Sequence, residues 1–364
     1  MTRRRVAIVG AGMAGASLAA ELAATDDVIL LEAEAQPGFH ATGRSAAFWS
    51  ETYGGPLVQP LTTASGPFLQ APPPDFAARG FLRTRGELLL ARDRTVLEAM
   101  ATDFAATGVP IAWRDPHGMV DGLRGQWHAL WSPGCADIDV GALHAAYLAK
   151  ARRGGVALHC DARLTGGRHD AGRWALTTVA GDTIVADVVV NAAGAWADAV
   201  AAMLGAAPQG IRPYRRTVVQ VRVDPPASPD LPLVMDAAGG FYFKPEPGGR
   251  LWLTPHDETP DRPHDVAAEE IDVALAIDRF EAAVDWRVEA VERRWAGLRS
   301  FAPDRLPVYG FDPTVPGFFW CAGQGGFGIQ TAPAAARLCA ALLGAGDVPS
   351  GVDARVYSPH RLSE

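Results

Sequence analysis

The chain has 364 residues, 48% hydrophobic and 20% charged, with a formal net charge of -8. This describes an ordinary globular protein, with length for two interlocked domains. The acidic balance and lack of a dense basic patch argue against nucleic acid as a partner, and no run reaches the roughly 18 apolar residues that span a bilayer. Cys135, Cys160, Cys321 and Cys339 have neither CxxC nor metal-ligand spacing, and read as reduced core thiols of a cytosolic protein. Thr2 to Arg5 followed by an apolar run has the order of a signal peptide. That run is needed for the first structural unit, so a retained, cytoplasmic N-terminus is expected.

Val6 to Val9 is a short apolar run that predicts a buried parallel strand. Gly10-Ala-Gly12-Met13-Ala14-Gly15 follows, then an alanine-rich helical segment to about Ala24 and a second strand, Val28 to Leu31, closed by Glu32. Strand, glycine turn, helix, strand and acid make a dinucleotide-binding βαβ unit. Gly10 permits the tight turn, Gly12 lets backbone approach a pyrophosphate, and Gly15 lets the helix pack on the strand. The helix N-terminus offers unpaired N–H groups and the positive end of its dipole. Glu32 stands where a carboxylate binds a ribose diol. Ala33 to Gly38 is a turn. The stretch His40-Ala-Thr-Gly43-Arg44-Ser45-Ala46-Ala47 is small, polar and glycine-broken: either a surface loop or a coat for a flat cofactor.

Phe48 to Pro74 mixes aromatics, Tyr53 among them, with turn residues, and ends in the stiff spacer Ala71-Pro-Pro-Pro74. Gly86 to Leu90 predicts a strand with Glu87 at its mouth. Arg94 to Thr107 has helical spacing, with Val96, Leu97, Met100 and Phe104 on one side. Residues 109–136 show no clear period and read as irregular with short strands. Asp137 to Val140 opens a helix capped by Asp139, with Leu143, Tyr147 and Leu148 as its stripe and Gly154-Gly155 as its end. Val156 to Cys160 is a strand, and Trp174 to Val179 begins a small antiparallel hairpin set. Val188 to Val190 leads into Asn191-Ala-Ala193-Gly194-Ala-Trp196-Ala-Asp198, a turn at a strand's carboxyl end that should lie against the same cofactor as the first.

Residues 209–295 read as a separate antiparallel layer inserted in the nucleotide domain. Thr217 to Val223, Gly240 to Lys244 and Arg250 to Thr254 are strands at hairpin-like intervals. Ala267 to Ala283 predicts a helix with Ile271, Leu275 and Phe280 inward. Trp295 to Pro303 returns the chain. Gly317 to Cys321 is a strand, Gly323 to Gly328 a glycine loop, and Ile329 to Leu343 a helix. That helix start is either plain structure or a dipole aimed at the electron-rich edge of a flavin.

Taken together, Gly10 to Glu32, His40 to Ala47, Asn191 to Asp198, Trp295 to Ser300 and Gly323 to Gln330 resemble the flavin-dependent D-amino-acid oxidase superfamily, nearest to bacterial D-arginine dehydrogenases and similar broad D-amino-acid dehydrogenases. The likeness runs nearly end to end, through Ser358-Pro-His-Arg-Leu362. It implies an α/β fold: a Rossmann-like FAD domain from residues 1–50, 137–208 and 293–364, and an antiparallel-sheet substrate domain from 51–136 and 209–292. It implies FAD rather than NAD. Relatives with covalent flavin have a cysteine shortly after the counterpart of Arg299; Ser300-Phe-Ala-Pro303 has none, so the FAD is expected to be non-covalent. The resemblance also places Ala33, Ala162, Gly325, Phe327, Gly328, Ile329 and Gln330 beside the cofactor.

By the same likeness Tyr53 and Tyr242 close over the substrate, Arg216 and Arg299 bind its carboxylate, and Gly326 accepts a bond from its amine. Glu87 meets a cationic side chain. Phe48 stands where the D-arginine dehydrogenases have a histidine, which removes a polar contact. A guanidinium can hold a carboxylate by two parallel charge-assisted bonds. Read alone, each arginine is equally a surface residue or half of an ion pair, each tyrosine an ordinary half-buried one, and Glu87 a solvated strand end.

The expected activity is oxidative deamination of D-amino acids to 2-oxo acids and ammonia through an imino acid, with hydride passing from Cα to flavin N5 and then to oxygen or a quinone. Two alternatives stay open: oxidation of glycine or a secondary amine such as sarcosine or proline, and a flavin-binding partner protein without turnover.

Overall fold

The structure is a computed structural model and describes residues 3–362, so Thr2 of the N-terminal basic run lies outside the described residues. Its centre is a six-stranded sheet in the order Val308–Phe311, Phe318–Ala322, Val188–Asn191, Arg5–Val9, Asp27–Leu31, Ala157–His159. All neighbours are parallel except the first pair. The near-continuous apolar runs follow from burial on both faces. Val6, Ile8, Val28 and Leu30 pack on the helices Met13–Leu22, Val140–Arg153 and Ala332–Leu342. Ala7, Val9, Ile29 and Leu31 face the other way, under the antiparallel strands Leu164–Asp170, Arg173–Thr178 and Thr183–Ala186 and the helix Ala197–Met203. Asp139 caps Val140–Arg153 as expected, accepting the Ala142 N–H at 3.0 Å. Among the described residues no helix is long and apolar enough to cross a membrane.

The second layer is a nine-stranded mixed sheet. Its spine is a long antiparallel ribbon, Arg212–Asp224 against Arg287–Phe301, running from Arg212 opposite Phe301 to Asp224 opposite Arg287 with register shifts after Gln220 and after Arg222. The sheet continues through Arg250–Thr254, Tyr242–Glu246 and Leu233–Asp236 to Glu87–Ala91, His128–Ser132 and Ala112–Arg114. A Rossmann-like FAD layer and a substrate layer are thus both present.

Four details depart from the sequence reading. Residues 48–74 contain a helix, Gln59–Gln70, whose inward face is Leu61, Thr62, Ser65 and Leu69; small hydroxyl residues and Pro67 hide its period. The helix expected from Ala267 begins at Glu270, and Ile271 is 69% exposed while Val273, Ala276 and Phe280 are buried. Asp272 is drawn inward by Arg215, at 3.1 Å, which rotates the buried face. The last helix begins at Ala332, not Ile329. Finally, Leu61, Leu69, Phe76 and Phe81 belong to the nucleotide-layer core, and residues 293–301 to the second sheet, so both boundaries shift from those expected.

Candidate active site

A cleft of about 590 Å³ runs along the carboxyl ends of the central strands. Gly10, Gly12, Met13, Ala14, Glu32 and Ala33 line it from the first βαβ unit, and Arg44 and Ser45 from the following loop. Ala162, Ala193, Gly194 and Trp196 line its far side, and Gly325, Gly326, Gly328 and Ile329 close it. Gly10 has φ +101°, and a Cβ there would lie 2.5 Å from the Ala192 carbonyl oxygen. Gly15 stays out of the cleft; its Cβ would lie 1.8 Å from Gly10 O, so it serves helix–strand packing. Gly43 is likewise a close-turn residue, its Cβ position 2.7 Å from Gly38 O. Ala46, Ala47 and Gln330 face the adjoining cavity instead, and Phe327 packs on Val58 and Phe301.

The cradle suits a dinucleotide. Glu32 Oε2 accepts the Ala11 N–H at 2.9 Å and Oε1 the Glu34 N–H at 3.1 Å, so its remaining lone pairs are presented in a fixed direction. The N-cap Gly12 provides no side-chain cap, and Thr42 Oγ1 accepts the Met13 N–H at 2.9 Å from the neighbouring loop. The second helix, expected from Ile329, starts three residues later, at Ala332. Ser65 Oγ takes the Ala334 N–H at 3.1 Å, and the loop residues Gly328 and Ile329 reach the cleft in its place.

Beside this cleft is a cavity of about 10 Å³, counted as room for the centre of a water molecule, which is about one water position. Ala46, Ala47, Phe48, Tyr53, Tyr242 and Gln330 wall it, and Ser45, Arg299, Gly326 and Ile329 are shared with the cleft. The ribbon register explains the arginines. Arg216 is opposite Gly297 and Arg299 opposite Tyr214, so alternation puts both guanidinium groups on one face, with glycine leaving space between. Arg215 points to the other face, against Asp261, Glu269 and Asp272.

Arg299 is half-buried and, among the described residues, has no carboxylate within ion-pair distance; its hydrogen-bond acceptor is Gly326 O, 3.5 Å from Nη1. Arg216 is held at two nitrogens: Nε donates to Asp257 O at 2.7 Å and Nη2 to Glu258 Oε1 at 3.0 Å. Its Nη1 is buried with no partner. Burial and the neighbouring Arg299 push its pKa down. Phe48 meets Tyr53 and Tyr242 edge-on, with ring centroids 5.1 and 5.7 Å apart. A Cβ on Gly326 would lie 2.6 Å from Tyr53 Oη and 2.9 Å from Arg299 Nη1, so glycine keeps open the point where these groups converge.

Glu87 is fully buried and lines neither cavity. Ser50 Oγ and Thr52 Oγ1 donate to its Oε2 at 2.7 and 3.0 Å, and Oε1 has no partner. Burial raises its pKa against those two bonds. Gln330 ties this network to the cavity wall, accepting the Ser50 N–H at 3.1 Å and donating to Tyr53 O at 3.0 Å.

Sequence reasoning passed over His256. Its ring centroid lies 5.7 Å from that of Tyr242 and 6.5 Å from that of Tyr53, its Nδ1 is buried without a partner, and its φ is +54°. Burial, reinforced by Arg216, Arg299, Arg305 and Arg279, pushes its pKa down to about 2. No motif marks the loop that carries it.

Fold and cleft define a flavin-dependent oxidoreductase. The family model described as "FAD dependent oxidoreductase" (DAO) matches residues 5–342, and the chain belongs to that family. The glycine oxidase of Geobacillus kaustophilus (strain HTA426) is 28% identical over 367 residues, 94% of each chain. The crystal structure of glycine oxidase from Geobacillus kaustophilus matches at TM-score 0.83, with 26% identity over 98% of each chain. The L-proline dehydrogenase of P. horikoshii shares the fold at TM-score 0.86 and 22% identity, covering 100% of this chain and 98% of that one. The iminodiacetate oxidase of Chelativorans sp. BNC1 does so at TM-score 0.78 and 22% identity, covering 98% and 99%. The likeness is therefore to glycine oxidase and not to D-arginine dehydrogenases in particular.

Proposed function

We propose that this FAD-dependent oxidoreductase oxidises the carbon–nitrogen bond of a small α-amino acid whose amine is secondary or is that of glycine. The observation that carries this is Arg299: a half-buried guanidinium with no carboxylate partner among the described residues, at the wall shared by the cleft and the cavity. Such a charge is costly unless a ligand supplies the anion. The substrate carboxylate sits on Arg299, with Arg216 Nη1 as second donor and the Tyr53 and Tyr242 hydroxyls alongside. The amine donates to Gly326 O. This holds Cα in one position against the cleft, where orientation contributes most to rate. When bound, FAD would supply the two-electron chemistry as hydride acceptor for Cα. Phe48, Tyr53 and Tyr242 exclude water from the chamber, and the imino acid takes up water only after release, giving a 2-oxo acid and the free amine. The relatives named for glycine, L-proline and iminodiacetate support this choice.

The test is anaerobic bleaching of the bound flavin by glycine, sarcosine and L-proline, against D-alanine and D-arginine. Bleaching by D-arginine alone would sink the proposal. A second reading, oxidation of D-amino acids, is favoured by the gathering of Tyr53, Tyr242, Arg216, Arg299 and Gly326 around one point. It predicts bleaching by D- but not L-amino acids, and a larger loss for D-arginine than for D-phenylalanine in Glu87→Ala. A protein without turnover would keep whatever activity is measured after Arg299→Ala. We take the FAD as non-covalent, so acid denaturation should release all of it. Repeating turnover with oxygen and with a quinone identifies the acceptor.

A further inference from the structure

His144 lies on the helix Val140–Arg153, away from every motif of the chain, yet its side chain reaches the glycine turn. Its Nε2 is 2.9 Å from the carbonyl oxygen of Ala11, between the turn glycines Gly10 and Gly12. A carbonyl only accepts, so Nε2 carries the proton and Nδ1 the lone pair. The ring is 9% exposed and packs against Gly38, where a Cβ would lie 2.8 Å from its Cε1.

The Ala11 residue is therefore held at both ends. Its N–H goes to Glu32 Oε2 at 2.9 Å and its carbonyl to His144. One residue beyond Gly12, the Met13 N–H goes to Thr42 Oγ1 at 2.9 Å. The N–H of Gly12 has no partner among the described residues, and Gly12 lines the cleft. In a trans peptide the carbonyl and the following N–H point in opposite directions across a rigid plane. Fixing the Ala11 carbonyl on one side thus fixes the Gly12 N–H on the other.

We propose that His144 is a positioning residue for the cofactor: its Nε2–H pins the Ala11 carbonyl beneath the turn and so aims the Gly12 N–H at the FAD pyrophosphate. Glycine at 12 supplies no side chain to hold the peptide plane, and its own freedom is what has to be removed. Burial keeps the imidazole neutral against the opposing pull of the Ala11 carbonyl and the Glu32 carboxylate, which preserves the single-donor tautomer. The inference rests on FAD dependence and is independent of which amine is oxidised.

The test compares holoenzymes of the native chain, His144→Phe and His144→Gln, reading the FAD dissociation constant from flavin fluorescence and the Tm of each stripped protein. Phenylalanine fills the space without a donor; glutamine restores one. The expected result is about tenfold weaker FAD binding in His144→Phe, with most of it recovered in His144→Gln and the stripped proteins melting together. FAD binding within twofold of native in His144→Phe overturns the proposal. So does a His144→Gln variant as weak as His144→Phe. Should His144→Phe not fold, the ring ¹⁵N shifts of native holoenzyme decide: the Nε2–H tautomer is required, and the Nδ1–H tautomer overturns the inference.

Discussion

The cofactor cleft and the substrate chamber are neighbours built on opposite plans. The cleft is lined in large part by small residues from two short stretches, Gly10, Gly12 and Ala14 in one and Gly325, Gly326 and Gly328 in the other, with Glu32 and Thr42 bonding the first turn. The chamber is made of large side chains, Phe48, Tyr53, Tyr242 and Arg299, which come from three distant segments and meet only in the folded chain. A change in the cleft should therefore act through backbone collision and cost the cofactor. One in the chamber should act through a lost charge or ring and cost turnover with the flavin still bound.

The largest expected effect is on the cleft, through the helix–strand contact beneath it. In Gly15→Ala the new methyl would stand 1.8 Å from Gly10 O, a backbone atom that cannot yield without opening the turn. Purified Gly15→Ala should be colourless; a flavin spectrum at native occupancy would break the contrast. Next comes Arg299→Met, which keeps the volume and removes the charge. It should lower kcat/KM by about 10³-fold, roughly 4 kcal/mol of lost charge-assisted binding, at unchanged flavin content. Arg216→Met should cost less, about tenfold to a hundredfold, because two of its nitrogens are already committed to Asp257 and Glu258. Gly326→Ala sits where the two plans meet. Its methyl would press on Tyr53 Oη and Arg299 Nη1, groups that can shift, so flavin should stay bound while kcat/KM falls. Loss of flavin there would show that residue 326 belongs to the cleft's plan.

The same contrast explains what could be read from the chain. The first βαβ unit was readable because its strand, glycines, helix and Glu32 are local and each has one physical job. Five of the six strands of the central sheet were readable as short apolar runs, and Val308–Phe311 was not read. The chamber was not readable from periodicity. Arg215 and Arg216 are adjacent, and only their register against Leu298 and Gly297 decides which faces the cleft. Resemblance pointed to Arg216, and alternation accounts for it. Glu87 looked like an exposed strand end because nothing local shows that Ser50 and Thr52 close over it. His256 carries no signal at all: its loop has neither period nor motif, and Tyr53, Tyr242 and Arg299 reach it from elsewhere. The helix Gln59–Gln70 was hidden because its buried face uses Thr62, Ser65 and Gly66 where a larger apolar stripe is usual.

The smallest expected effects concern two buried groups behind the chamber wall, Glu87 and His256, whose burial has opposite signs on a pH axis. Burial raises the Glu87 pKa above its ordinary 4.5. The unfolded chain then ionises first, so the stability from keeping this carboxyl neutral is complete below pH 4.5 and is lost as pH rises through the raised value. Glu87→Gln keeps the acceptor for Ser50 and Thr52 without a charge. Its Tm should match native near pH 4.5 and exceed it increasingly with rising pH, levelling off once the native carboxyl has ionised. His256 runs the other way. Its pKa falls from 6.5 to about 2, so its stabilising neutrality is complete above pH 6.5 and is lost as pH falls towards 2. His256→Asn should therefore gain on native only on the acid side. Melting curves of the three proteins from pH 4.5 to about 9 make the comparison. Parallel curves for Glu87→Gln and native would mean that Glu87 is ionised in the fold, the Ser50 and Thr52 bonds outweighing its burial.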